Sequence, residues 1–131
     1  MIILDTHVII WDALAPDRLS MPARRTIAQA NQEDGIIICD ISLWEIAMLL
    51  EKGRVQVEVD CQTFINLLLQ ANKTIVRAIT PQIATIAVQF PVEINKDPAD
   101  RLIAATALAE DVPLLTADLN LQTSPLISTL W

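Results

Sequence analysis

Glycine is nearly missing from this chain of 131 residues, where only Gly35 and Gly53 occur. The G-x-G-x-x-G dinucleotide loop and the G-x-x-x-x-G-K phosphate loop both need glycines at short fixed spacing, so neither can be built. The G-x-S-x-G turn that presents a serine nucleophile is excluded on the same ground. Histidine occurs once, as His7, leaving little room for acid–base chemistry based on imidazole. Cys39 and Cys61 are too few for a disulfide scaffold and lack zinc spacing, even with His7 as a third ligand. They read as two reduced core thiols. Positive charge is scarce as well: nine Lys and Arg against sixteen Asp and Glu give a net charge of −7. Proteins that grip duplexes through nonspecific phosphate contacts carry the opposite sign, so a nucleic-acid partner must be held by something other than overall charge. Apolar runs are broken by charge or proline well before the length of a membrane span. The opening stretch MIILDTHVII has Asp5 inside its apolar run and no basic residue ahead of it, unlike a targeting signal. The expectation is a cytoplasmic protein with no membrane partner.

What is present is apolar material for one core. Hydrophobic residues make up 53% of the 14.5 kDa chain and charged residues 19%, which argues against disorder and for a single domain over 1–131. Short apolar runs at Met1–Leu4, Ile36–Cys39, Thr74–Arg77, Pro113–Thr116 and Leu126–Ser128 are spaced as strands. Between them, amphipathic stretches predict helices over about Thr6–Leu14, from Ser20 and Pro22 to Gln32, from Ser42 to Lys52 with a stop at Gly53, from Asp60 to Ala71, from Thr80-Pro81 to before Pro91, and over Ala99–Glu110 after Asp97-Pro98. Buried strands alternating with helices imply a mostly parallel sheet covered on both faces, a three-layer α/β/α sandwich. In such folds the functional crevice lies beyond the carboxyl ends of the strands, at the switch point of strand order.

Carboxylates occupy the corresponding sequence positions. Asp5 follows the first strand, Glu45 opens the helix after the second, Asp97 and Asp100 flank the start of the helix before the Pro113–Thr116 strand, and Asp118 comes just after that strand. Each has a local explanation. Ser42-Leu43-Trp44-Glu45 matches a capping box, Asp97 before Pro98 is a good N-cap with Asp100 at N3, and Asp5 and Asp118 can cap the turns that follow them. Capping explains acids at helix starts but not their gathering at one sheet edge. Two carboxylates about 4 Å apart repel by about 4 kcal/mol at an effective dielectric near 20. Several such pairs would strain a domain whose whole stability is about 5–15 kcal/mol. Either some acids take up protons, or a divalent cation sits among them. An all-oxygen site suits Mg²⁺ or Mn²⁺, ions that clamp phosphoryl oxygens and activate water.

The stretches Asp5-Thr6-His7, SLWEIA from Ser42 to Ala47, KDPADRLIAATAL from Lys96 to Leu108, and LLTAD ending at Asp118 resemble PIN-domain ribonucleases, and more narrowly the VapC toxins of bacterial toxin–antitoxin pairs. The resemblance spans essentially the whole chain, including a carboxyl-terminal strand ending in Trp131. It implies a metal-dependent endoribonuclease whose acids are Asp5, Glu45, Asp100 and Asp118, with Asp97 left open between helix cap and secondary ligand. It also implies support from Thr6 and Thr116, an RNA substrate, a homodimer, and a small cognate antitoxin that blocks the acids with a basic side chain. Relatives often carry a His-Arg pair before Asp-Pro where this chain has Asn95-Lys96, which puts substrate contacts there in question. The alternative is a catalytically silent PIN-like module for protein interaction or RNA binding. A phosphatase pattern wants a second Asp where His7 stands, and a receiver wants adjacent acids and a late lysine that are missing.

Several smaller features complete the reading. His7 reads as a packed or site-edge residue rather than a general base. Trp11, Trp44 and Trp131 are too dispersed in sequence for a base-stacking platform and read as core. Arg18, Arg24 and Arg25 form the densest basic patch, and Lys96 and Arg101 near the acids are candidates for phosphate contacts, with a carboxylate pair as the alternative for Arg101. The helix around Ile65–Leu69 has more apolar surface than one core can hide, which fits a dimer or antitoxin face.

Overall fold

The computed structural model describes residues 1–91, 94 and 96–131. Five parallel strands, β1 (Ile2–Leu4), β2 (Ile36–Cys39), β3 (Thr74–Arg77), β4 (Leu114–Leu115) and β5 (Thr129–Leu130), form one sheet in the order β3-β2-β1-β4-β5. The helices are α1 (Thr6–Leu14), α2 (Met21–Gln32), α3 (Asp40–Glu51), α4 (Cys61–Ala71), α5 (Pro81–Gln89), α6 (Pro98–Glu110) and α7 (Leu119–Gln122), with a 3-10 turn at Pro16–Arg18. No helix among the described residues is long and apolar enough to cross a membrane.

Strand side chains alternate between faces, and the strands are buried on both. Ile2, Leu4, Ile36, Ile38 and Leu115 point into one cluster with Val8, Ile9, Ile27, Ile46, Phe64 and Leu68. Ile3, Ile37, Cys39 and Leu114 point into the other, with Ile83, Ala87, Ile103, Ala104 and Leu121. Helices α1, α2 and α4 therefore cover one face and α5 and α6 the other, giving the three layers expected from the sequence. The strand order runs β1, β2, β3 in one direction and then returns to the other side of β1 with β4. The switch point thus lies between β1 and β4.

Most helix starts follow the sequence signals. The Ser20 hydroxyl accepts from the Ala23 N–H at 3.1 Å, Thr80 accepts from the Ile83 N–H at 3.1 Å, and Asp97 accepts from the Ala99 N–H at 2.8 Å. Gly35 turns into β2 with φ +102°, and an added Cβ would lie 2.9 Å from the Lys73 carbonyl oxygen. Only glycine fits there.

Four expectations need correction. Helix α3 begins at Asp40, two residues before Ser42, with Cys39 as its cap residue. Glu45 therefore stands in the second turn and cannot close a capping box. The last strand is Thr129–Leu130 rather than Leu126–Ser128, because its pairing is set by the register of β4, Leu114 with Thr129 and Leu115 with Leu130. Cys39 is a core thiol, but Cys61 is exposed at the start of α4. Trp11 and Trp131, far apart in sequence, meet in space with ring centroids 5.9 Å apart.

Candidate active site

Asp5 leaves the end of β1 and caps α1, so its carboxylate sits at the switch point, 6% exposed. Its Oδ1 accepts from the Thr6 N–H at 2.8 Å. Its Oδ2 accepts from the Thr116 hydroxyl at 2.7 Å, across the junction of β1 and β4. That same hydroxyl accepts from the Asp118 N–H at 3.0 Å. Asp118 caps α7 by accepting from the Leu121 N–H at 3.1 Å. One fully buried threonine thus fixes both strand-end acids in relation to each other.

Glu45 is placed by a second relay. The Thr6 hydroxyl donates to Glu45 Oε1 at 2.5 Å, and Ser42 Oγ lies 2.9 Å from Thr6 Oγ1. With its one proton given to Glu45, Thr6 accepts from Ser42. Ser42 is completely buried one helical turn before Glu45, on the same face of α3. The sequence reading took Ser42 as a cap and missed this role; the available signal was a small hydroxyl residue three positions before an acid, inside an apolar helix.

Asp100 arrives from the other layer, at N3 of α6, and Asp97 caps that helix, accepting from the Asp100 N–H at 3.3 Å as well as from Ala99. Burial raises the Asp100 carboxyl, and the charges of Asp5, Asp97, Glu45 and Asp118 raise it further, to about 8. Burial also raises Asp5, opposed by the Thr116 hydroxyl, the Thr6 N–H and the charge of His7. Glu45 is raised by burial, opposed by the Thr6 hydroxyl, and raised again by Asp97 and Asp5. Acids from four separate segments therefore act on one another, as the sequence positions suggested. Asp97 caps α6, and its charge also reaches Glu45 and Asp100.

Other residues settle differently. His7 is exposed at the edge of this acidic group rather than packed. Lys96 is exposed, and Asn95 lies outside the described residues. Arg101 is bonded to backbone around the end of α5. Its guanidinium donates to the carbonyls of Ala87 at 2.9 Å, Pro91 at 3.2 Å and Val88 at 3.3 Å, and to that of Phe90. It gathers carbonyls left open at the end of α5 and ties them to the first turn of α6, beside Asp100.

The donor set is all oxygen, as a hard divalent cation prefers. Among the described residues, no three His, Cys, Asp or Glu side chains form a metal-holding cluster as they stand. What Asp5, Glu45, Asp100 and Asp118 share is mutual repulsion in a half-buried crevice, and a cation would relieve it.

An α/β/α sandwich with buried and half-buried acids gathered at its switch point defines the class. The PIN domain family model matches residues 2–123, a range that contains Asp5, Glu45, Asp100 and Asp118. The chain is 36% identical to Ribonuclease VapC22 of Mycobacterium tuberculosis, over 99% of this chain and 98% of that protein. It belongs to the PIN domain family. Its fold is similar to that of VapBC2 from Rickettsia felis bound to a DNA fragment from their promoter, with a TM-score of 0.74 and 17% identity over 99% of this chain and 98% of the other. It is also similar to DNA-bound VapBC from Salmonella typhimurium, with a TM-score of 0.71 and 18% identity over 98% and 96% of the two chains.

Proposed function

We propose that the protein is a VapC-like endoribonuclease toxin that hydrolyses RNA phosphodiester bonds at the carboxylate crevice with Mg²⁺ or Mn²⁺. The observation that carries this reading is the convergence of four acids from four segments on the switch point, with the Asp100 carboxyl raised to about 8 by burial and by its neighbours' charge. The likeness to a named ribonuclease over nearly the full chain supports it. Asp5, Glu45, Asp100 and Asp118 would hold the metal, with Asp97 at the margin. When bound, the ion supplies a lowered pKa for a coordinated water and a clamp on phosphoryl oxygen. The protein's own part is to keep the acids in place and ready to accept. Thr116 holds Asp5 and Asp118 at one spacing, and Thr6 with Ser42 aims Glu45. His7 offsets part of the negative field without being required as a base.

A cognate antitoxin and a homodimer belong to the same reading, in the cytoplasm. The structural neighbours named as VapBC complexes support an antitoxin partner. Leu67 on α4 is exposed beside a groove of about 440 Å³ that Leu14, Phe64 and Leu68 also line, an apolar face suited to a protein partner.

The test is cleavage of a mixed RNA pool with Mg²⁺, Mn²⁺ or EDTA, comparing the wild type with Asp5→Asn. Cleavage that needs metal and disappears in the variant is the expected result. Cleavage that persists in Asp5→Asn would refute this site. A melting temperature that stays flat on metal titration, with no cleavage, would favour a catalytically silent binding module.

A further inference from the structure

His7, Trp11, Arg18 and Trp131 come from α1, the 3-10 turn and the residue after β5, and they meet in one strip. The His7 and Trp11 ring centroids are 6.0 Å apart with planes at 52°. Trp11 and Trp131 are 5.9 Å apart at 58°. The Arg18 guanidinium carbon lies over the Trp11 ring, 5.1 Å from its centroid. Tilted rings of this kind do not cover one another face to face. Both tryptophans pack against the first core cluster and are only partly buried by it, so the core fixes them while leaving part of each in solvent. His7 and Arg18 are exposed.

The strip starts at the acidic crevice. His7 is near enough for its charge to act on both Asp5 and Glu45. At the far end, the Leu130 carbonyl accepts from the Thr116 N–H at 3.2 Å, and the Thr116 hydroxyl donates to Asp5. Trp131 is therefore one residue from a strand end that is hydrogen-bonded to the residue holding Asp5. Partly exposed aromatic rings with an arginine over one of them form a local patch that offers ring faces on a chain of net charge −7. Rings and guanidinium groups fixed in this way stack with unpaired bases of any sequence.

We propose that Trp11 and Trp131, flanked by His7 and Arg18, form a stacking subsite for unpaired bases of the RNA strand whose phosphodiester lies at the carboxylate crevice. The subsite rests on the ribonuclease reading above and adds to it a way for an acidic protein to hold RNA: through base faces rather than summed charge. It favours single-stranded substrate, because paired bases have no free face to offer.

Binding and cleavage are measured separately to test it. Binding is read by fluorescence anisotropy of a short, labelled, unstructured 2′-O-methyl RNA with Mg²⁺ present; cleavage uses ordinary RNA. Trp131→Leu and Trp11→Leu should each weaken binding roughly 5- to 150-fold, the range for one lost base stack. Trp11→Phe should keep most of the affinity, and the exposed Trp44 outside the strip should tolerate Trp44→Phe within about twofold. In the Trp44→Phe protein the only tryptophans are Trp11 and Trp131, so bound RNA should quench the remaining emission. A role confined to packing would leave that emission unchanged. Since Trp11→Leu removes core contacts, Arg18→Gln provides a surface variant that should weaken binding without lowering the melting temperature. If the variants bind and cleave like the wild type, or if RNA binds without quenching, the subsite is wrong while the nuclease reading stands. Binding lost in the tryptophan variants of a wild type that never cleaves would keep the subsite and remove the nuclease. No binding by a wild type that still cleaves would overturn the subsite alone, and neither binding nor cleavage would overturn both.

Discussion

Asp5 and Asp100 face the same crevice from opposite layers, and their supports differ. Asp5 is the more deeply buried, yet a backbone N–H and a threonine hydroxyl are bonded to its two oxygens, and both favour its charged form. Asp100 is less buried, but the charges of four carboxylates add to its burial and raise it to about 8. Burial is the largest cause of the upward shift at both acids; at Asp5 the two donors work against it, and at Asp100 the neighbouring carboxylates add to it. The strand-end half of the site is held by hydrogen-bond donors, whereas in the α6 half the charges of neighbouring carboxylates push Asp100 toward its neutral form.

The sharpest way to break this comparison is to turn each acid into its amide. Asp5→Asn and Asp100→Asn should both lower RNA cleavage by about 100-fold or more, since metal clamping is worth several kcal/mol at the transition state. Their effects on stability should differ. In the metal-free protein near pH 8, Asp100→Asn should raise the melting temperature by removing a repelled charge. Asp5→Asn should lower it, because an amide accepts at only one end: either its NH₂ group faces the Thr6 N–H, or it faces the Thr116 hydroxyl, which must turn and loses the acceptor for its proton. Equal shifts by thermal melting would contradict the contrast drawn between the two halves.

Thr116→Val tests the strand-end half alone. It removes the donor to Asp5 and the acceptor of the Asp118 N–H at nearly constant volume. Stability should fall by about 1–3 kcal/mol. Cleavage should fall roughly 10- to 100-fold, as when a group supporting metal ligands is lost. An active, fully stable variant would show that the strand ends hold Asp5 without the hydroxyl. Arg101→Met tests the other half: losing the guanidinium from the α5 carbonyls should cost roughly 1.5–3 kcal/mol, and Arg101→Lys should recover little, because an ammonium cannot span the same set of carbonyls.

The same contrast predicts a pH dependence. Asp100 binds its proton more tightly folded than unfolded, so its contribution to stability is complete below pH 4 and is lost as pH rises through about 8. Metal-free protein should therefore lose melting temperature across that window relative to Asp100→Asn. Mg²⁺ or Mn²⁺ should restore more at pH 8 than at pH 5. Parallel pH profiles of the two proteins, followed by circular dichroism, would show that Asp100 is not the acid pushed toward its neutral form.

Much of the site was legible because each acid sits where a local rule already places something. Asp5 and Asp118 follow apolar runs, and Asp97-Pro98 opens a helix whose third residue is Asp100. Capping and convergence turned out to be compatible, since Asp5, Asp97 and Asp118 cap helices while their charges act across the crevice. Glu45 misled for the same kind of reason. S-L-W-E fits a capping box, but the helix could begin at Asp40 because nothing in Asp40-Ile41 forbids helical backbone. The carbonyl bonds of Arg101 were not legible, because proximity to acids in sequence says nothing about carbonyls at the end of another helix. The Trp11–Trp131 contact was invisible because it depends on where β5 pairs.

Periodicity and end signals by themselves determined the alternation of strands and helices and the two-faced burial, and they placed acids beyond the strand ends. These are local properties, set by a residue and its neighbours within a turn or two. Tertiary structure alone decided which hydroxyl supports which carboxylate, that Arg101 serves α5, and that two tryptophans 120 positions apart share a contact. Those outcomes depend on strand order and register, which bring distant segments together through long-range pairing that no short window of sequence contains.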